Sequence, residues 1–219
     1  MNLIVVRHAE REDIKDSETA HLAGLTKKGI DDSVSFGAQL HGKLNVKVDN
    51  LFTSYVERCQ DTGHLILSSH ALDVFDESIN FFPAKSHNNL LTLGYVKLEK
   101  RIEWLDFLHE MFENNDMDYP KYFQKWAALN ILTHKTVDEY SIDFFSRYFN
   151  MLSTNLIVTH DSNIGPIMYY LASRYNFQIE ECMARPNYLC GFCISSRGTR
   201  ESIYWLNFED NEIKTRRLI

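Results

Sequence analysis

The sequence predicts an α/β fold: a mostly parallel central sheet flanked by helices, with a helical insert. Three observations predict it. Short, wholly apolar runs such as Leu3-Ile4-Val5-Val6 suit strands buried on both faces. Stretches of helical period alternate with those runs. Three of the runs are followed at once by clusters of polar and charged residues, as where strands of an open α/β sheet deliver side chains to a ligand crevice.

The elements follow in order. After the strand Leu3–Val6, Thr26 suits the N-cap of a helix to about His41, with Ile30, Val34 and Ala38 on one side. Asn50–Thr53 reads as a second strand, Val56–Ser69 as a helix and Leu72–Phe75 as a third strand. The middle has a different texture. Leu98, Ile102, Leu105, Leu108 and Phe112 recur at helical spacing, and Pro120 opens another helix to about Leu132. A third spans Thr136–Leu152, its aromatic stripe of Tyr140, Phe144 and Tyr148 reading as packing. Asn155–Thr159 returns to strand and Asn163–Ser173 to helix. Leu189–Ser195 and Ser202–Phe208 read as closing strands joined by a turn near Gly198, and Ile213–Leu218 as an edge strand. The whole, 1–219, is one domain with a helical insert at about 86–151.

Composition narrows the function. An apolar fraction of 44%, with 14 Phe and 11 Tyr, supplies a core. The net charge of −7 excludes a general electrostatic footprint for nucleic acid, so positive charge for an anionic ligand must be local. The first apolar run is too short for a signal peptide or a membrane span, which points to a cytoplasmic protein that engages no membrane. Of four cysteines, Cys190 and Cys193 form a C-x-x-C pair. No further ligands at zinc spacing accompany them, and the pair lies in a strand-like run, so they read as buried thiols in a reducing compartment.

The strand ends gather one chemistry. Arg7, His8, Glu10 and Arg11 follow the first strand; Ser54 and Arg58 follow the second; His160, Asp161 and Asn163 follow Thr159. A neutral imidazole can attack phosphorus, arginine forks match phosphate oxygens, and a carboxylic acid can protonate a leaving oxygen. This is the inventory of phosphoryl transfer without a metal or other cofactor. Asp161 also suits a helix cap. The acidic run Glu10, Glu12, Asp13, Asp16 and Glu18 reads as a solvated loop, and His21, His64, His87 and His134 as lying outside the site.

Four motifs, in order, resemble those of the histidine phosphatase superfamily, which comprises phosphoglycerate mutase-like and acid phosphatase-like enzymes. They are Arg7-His8-Ala9-Glu10, Leu25-Thr-Lys-Lys-Gly29, Ser54-Tyr-Val-Glu-Arg58-Cys-Gln-Asp-Thr62 and Thr159-His160-Asp161-Ser-Asn163-Ile164. The resemblance spans residue 3 to about residue 173. It implies that His8 is the phosphorylated nucleophile, that Arg7 and Arg58 clamp the phosphoryl oxygens, and that His160 stabilises their charge. Arg11 matches a further phosphate-binding arginine of the acid phosphatase-like branch. Asp161 is the proton donor if the chain follows that branch, and Glu77 if it follows the mutase-like branch; the motif around His160 favours Asp161. Where the acid branch places a proline, two positions after Arg11, this chain has Asp13. The expected activity is phosphomonoester hydrolysis on a small phosphorylated substrate or a phosphoprotein. The alternatives are a phosphoglycerate mutase-like phosphotransferase and a catalytically retired phospho-ligand binding protein.

Overall fold

The computed structural model describes residues 3–14, 22–74, 137–184, 186–197 and 200–219. Within these, β1 (Leu3–Arg7), α1 (Lys27–Leu44), β2 (Asn50–Thr53) and α2 (Glu57–Val74) are followed by α3 (Val137–Tyr148), β3 (Asn155–Thr159) and α4 (Asp161–Tyr175). A one-turn helix α5 (Glu181–Ala184) leads to β4 (Gly191–Arg197), β5 (Arg200–Glu209) and β6 (Glu212–Arg217). The sheet order is β2-β3-β1-β4-β5-β6.

The α/β class expected from the sequence holds, but the sheet is mixed rather than mostly parallel. β2, β3 and β1 run parallel, while β4, β5 and β6 continue the sheet antiparallel from the other edge of β1. Only two residues separate β4 from β5 and β5 from β6, and a connection that short can return a strand only antiparallel. A second expectation fails at Leu72–Phe75. Residues 72–74 are the last turn of α2, not a strand. That helix is held along its length, with Ile66 and Leu67 in the core and His70 Nε2 accepting from Val48 N–H at 3.1 Å. Phe75, Glu77, His21, His87, His134 and the helices expected at Leu98–Asn114 and Pro120–Leu132 lie outside the described residues. Of the expected insert, α3 is described.

β1 alternates between two cores although all its first four residues are apolar. Ile4 and Val6 pack with Phe36 and Leu40 of α1 and with Ile66 of α2. Leu3 and Val5 pack with Phe144 and Tyr148 of α3 and with Ile164, Ile167 and Met168 of α4. Burial on both faces is why the strand reads as an unbroken apolar run. Cys190 and Cys193 fall on opposite sides of this sheet, one in each core. Burial pushes their thiols up to about 11 and about 12 respectively. Among the described residues all cysteines are free, and no helix is long and apolar enough to cross a membrane.

Candidate active site

The three parallel strands end side by side. Arg7 is in register with Thr159, and Thr53 with Val158, so the residues that follow emerge at one edge of the sheet. His8 N–H donates to the Thr159 carbonyl at 2.9 Å, and Ser54 N–H to the Val158 carbonyl at 3.0 Å. The ladder thus extends one step beyond the strands and carries His8, Ser54 and His160 into a common site.

His8 is buried, at 2% exposure. Its Nδ1 lies 2.8 Å from the Ala9 carbonyl, which can only accept, so Nδ1 carries the proton and Nε2 the lone pair. Arg58 Nε donates toward that lone pair at 3.3 Å. Burial above all, then the neighbouring His160, Arg7 and Arg58, holds the imidazole well below its ordinary range despite the opposing Ala9 bond. The ring is therefore neutral, with one nitrogen available as a nucleophile.

The sequence motifs acquire physical reasons here. In Ser54-x-x-x-Arg58-x-x-x-Thr62, the latter two residues lie one turn apart on α2, and all three reach different parts of the site. Ser54 Oγ lies 3.0 Å from His160 Nε2. Arg58 meets His8, and Thr62 Oγ1 accepts the Ala9 N–H at 3.1 Å while donating to the Arg58 carbonyl at 2.7 Å. In Leu25-Thr-x-x-Gly29, Thr26 caps α1 by accepting from Gly29 N–H at 3.0 Å. A Cβ on Gly29 would lie 2.1 Å from the Glu10 carbonyl, so glycine is the residue that lets α1 approach the loop after His8.

His160 is buried at 8% exposure and sits edge-on to His8, ring centroids 5.4 Å apart. Burial, then Arg58, pulls it down to about 4, with Asp161 opposing. Its Nε2 side is taken by Ser54 and by Cys59 Sγ at 3.6 Å, while Nδ1 makes no hydrogen bond among the described residues. His160, not Asp161, occupies the N-cap position of α4, and it makes no side-chain cap bond. Asp161 is the first helical residue. Its Oδ1 accepts from Ser162 N–H at 2.8 Å and its Oδ2 pairs with Arg7 Nη2 at 3.2 Å. Asn163, three positions past the cap, is buried, donating to Thr159 Oγ1 at 2.8 Å and accepting from Tyr140 Oη at 2.5 Å.

Arg7 is fixed on several sides. Nη1 donates to the Pro186 carbonyl at 2.8 Å, Nη2 meets Asp161, and the guanidinium stacks over the Tyr188 ring at 4.6 Å. Its buried Nε has no partner among the described residues. Arg11 stands farther out, with Nη1 on the Glu12 carbonyl at 2.7 Å, yet its charge is felt at Arg58. The structure therefore brings together His8, His160, Arg7, Arg58 and Asp161, and sets Arg11 at the rim. Among the described residues, no cluster of three His, Cys, Asp or Glu side chains that could hold a metal occurs. Sequence reasoning missed Tyr140 and Tyr188. Tyr140 stood in an aromatic stripe with no polar signature, and Tyr188 in a run that read as strand.

A phosphoglycerate mutase from Bacillus anthracis str. Sterne superposes with a TM-score of 0.53 at 13% identity, over 100% of this chain and 92% of the other. The chain has the phosphoglycerate mutase-like fold. Further similar structures are an alpha-ribazole phosphatase from Shigella flexneri (TM-score 0.49, 19% identity, 100% and 96% covered) and a mycobacterial glucosyl-3-phosphoglycerate phosphatase (0.47, 10%, 99% and 96%). These neighbours of the phosphoglycerate mutase-like fold are members of the histidine phosphatase superfamily. No family model matches the sequence, and no curated protein matches it.

Proposed function

We propose that this chain is a histidine phosphatase: a phosphomonoester hydrolase that works through a phosphohistidine on His8 and needs no metal. The observation that carries the reading is the state of His8. It is neutral, its proton is fixed on Nδ1 by Ala9, and its Nε2 lone pair faces Arg58 in a buried site.

The Nε2 lone pair forms the N–P bond as the bond from phosphorus to the leaving alcohol breaks. Arg7 and Arg58 hold the phosphoryl oxygens, and His160 donates from Nδ1, the ring nitrogen away from Ser54. The Nδ1–H···O bond to Ala9 stabilises the positive charge the ring acquires. A phosphoryl group bound at Arg7 competes for the guanidinium and releases the Asp161 carboxylate, which takes up a proton from solvent and gives it to the leaving oxygen. Water then attacks phosphorus, the N–P bond breaks, and Asp161 takes the proton. Glu77 is the alternative donor. Arg7, Arg58 and His160 supply the charge stabilisation that a metal provides elsewhere. The substrate is a small phosphorylated molecule or a phosphoprotein, and the four free thiols suit a cytoplasmic setting.

The test is hydrolysis of p-nitrophenyl phosphate with chelator present, comparing the wild type with His8→Ala. The expected result is turnover that survives chelation and disappears in the variant. Loss of turnover on chelation would overturn the mechanism. Binding of vanadate without turnover of any phosphate ester would favour a retired binding protein, and transfer of trapped phosphate to a second acceptor a mutase.

A further inference from the structure

Tyr188 belongs to none of the four motifs, yet the fold goes to some length to place it. It lies in the turn before β4, and Arg7 clasps that turn at three points. Arg7 N–H donates to the Cys190 carbonyl at 2.9 Å, the Arg7 carbonyl accepts from Leu189 N–H at 3.2 Å, and Nη1 reaches the Pro186 carbonyl. Leu189, the residue after Tyr188, is buried with φ at 57°. A branched side chain rarely adopts that left-handed conformation, and its presence beside a site is strain that the surrounding contacts sustain. The result is that the Tyr188 ring packs against Arg7 at 4.6 Å and against His8, ring centroids 5.6 Å apart.

The hydroxyl is the unexplained part. Tyr188 is half-buried and makes no hydrogen bond among the described residues. It lies within electrostatic reach of Arg58 while its ring covers Arg7. A phenol beside His8 and Arg7 and within reach of Arg58, with no hydrogen bond of its own among the described residues, has a donor to offer a group bound there.

We infer that Tyr188 is a substrate-contacting residue whose hydroxyl donates to the phosphoryl group held between Arg7 and Arg58. The inference rests on the histidine phosphatase reading and adds a phosphate ligand to it. The ring also acts as a wall, keeping the Arg7 fork flat and water off one side of His8. The hydroxyl supplies an extra donor that strengthens as charge builds on the transferring group.

Tyr188→Phe separates the two parts, because it keeps the ring on Arg7 and removes only the donor. The expected result is a fall of about tenfold or more in kcat/KM for p-nitrophenyl phosphate, and a comparable weakening of vanadate binding, with an unchanged Tm. Tyr188→Leu, which loses ring and donor, falls further. Tyr188→Phe matching the wild type in both readouts overturns the inference, even if Tyr188→Leu is impaired, since the ring alone then suffices. Vanadate keeps the outcomes distinct. A wild type that binds vanadate without hydrolysing esters removes the hydrolase reading, while weaker vanadate binding by Tyr188→Phe still upholds the contact. A wild type that binds no vanadate removes both.

Discussion

Arg58 Nε stands 3.3 Å from His8 Nε2, so the arginine proposed to clamp phosphate rests on the proposed nucleophile itself. In the proposed mechanism a phosphoryl group takes that donor for its own oxygens and leaves the lone pair free to attack. The contact needs a planar guanidinium, which lysine does not offer. Arg58→Lys should lower kcat/KM on p-nitrophenyl phosphate by roughly a hundredfold, and Arg58→Ala by up to about a thousandfold. A lysine variant with wild-type kinetics would show that position 58 contributes charge alone.

Two buried neutral histidines make stability sensitive to acid. His160 is pulled down to about 4, and His8 is also depressed, whereas an unfolded chain protonates its histidines near about 6.5. Below that value the unfolded state binds protons that the folded state refuses. The contribution is complete above about 6.5 and declines as pH falls toward 4, by up to about 1.4 kcal/mol per pH unit for each histidine. Tm should fall across this window, and fall less steeply in His160→Gln. The acid limb of kcat/KM should lie below about 6.5, because His8 stays unprotonated there. An acid limb at the ordinary histidine value would contradict the burial described.

Thr62 ties the loop after His8 to α2. Thr62→Val keeps the shape but strands the Ala9 N–H, which costs about 1–3 kcal/mol of stability in urea unfolding. Because Ala9 also supplies the carbonyl that orients His8, kcat should fall several-fold with KM little changed. Equal stability in variant and wild type would mean that another acceptor replaces the threonine.

Gly29 and Gly42 lie on the same helix and should respond oppositely to alanine. A Cβ at 29 would meet the Glu10 carbonyl at 2.1 Å, whereas at 42 nothing lies within 4 Å. Gly29→Ala should destabilise by about 2 kcal/mol or more, since backbone has to move. Gly42→Ala should be neutral or stabilising by up to about 1 kcal/mol. Denaturant midpoints for the two variants decide the matter.

Much of this site was legible because its residues sit where regular elements end. The strands Asn50–Thr53 and Asn155–Thr159 match their sequence reading, and each strand end carries motif residues. The short run at Leu72–Val74 misled because a few apolar residues do not distinguish strand from helix, and α2 simply continues through them. The antiparallel half was read as closing strands, but their direction depends on turns and pairing partners rather than on side-chain pattern. Tyr188 was hidden for another reason. Its position comes from a left-handed Leu189 and from three contacts with Arg7, a residue far away in the chain, and no local pattern announces either.

The bond from His8 N–H to the Thr159 carbonyl makes the sheet a ruler. His8 and His160 leave neighbouring strands at matching heights, so their separation inherits the inter-strand spacing of about 4.8 Å, and the rings stand 5.4 Å apart. That gauge is written in peptide groups, which side-chain substitution leaves untouched. The surrounding loops are therefore at liberty to change what enters the site without resetting the gap between the two imidazoles.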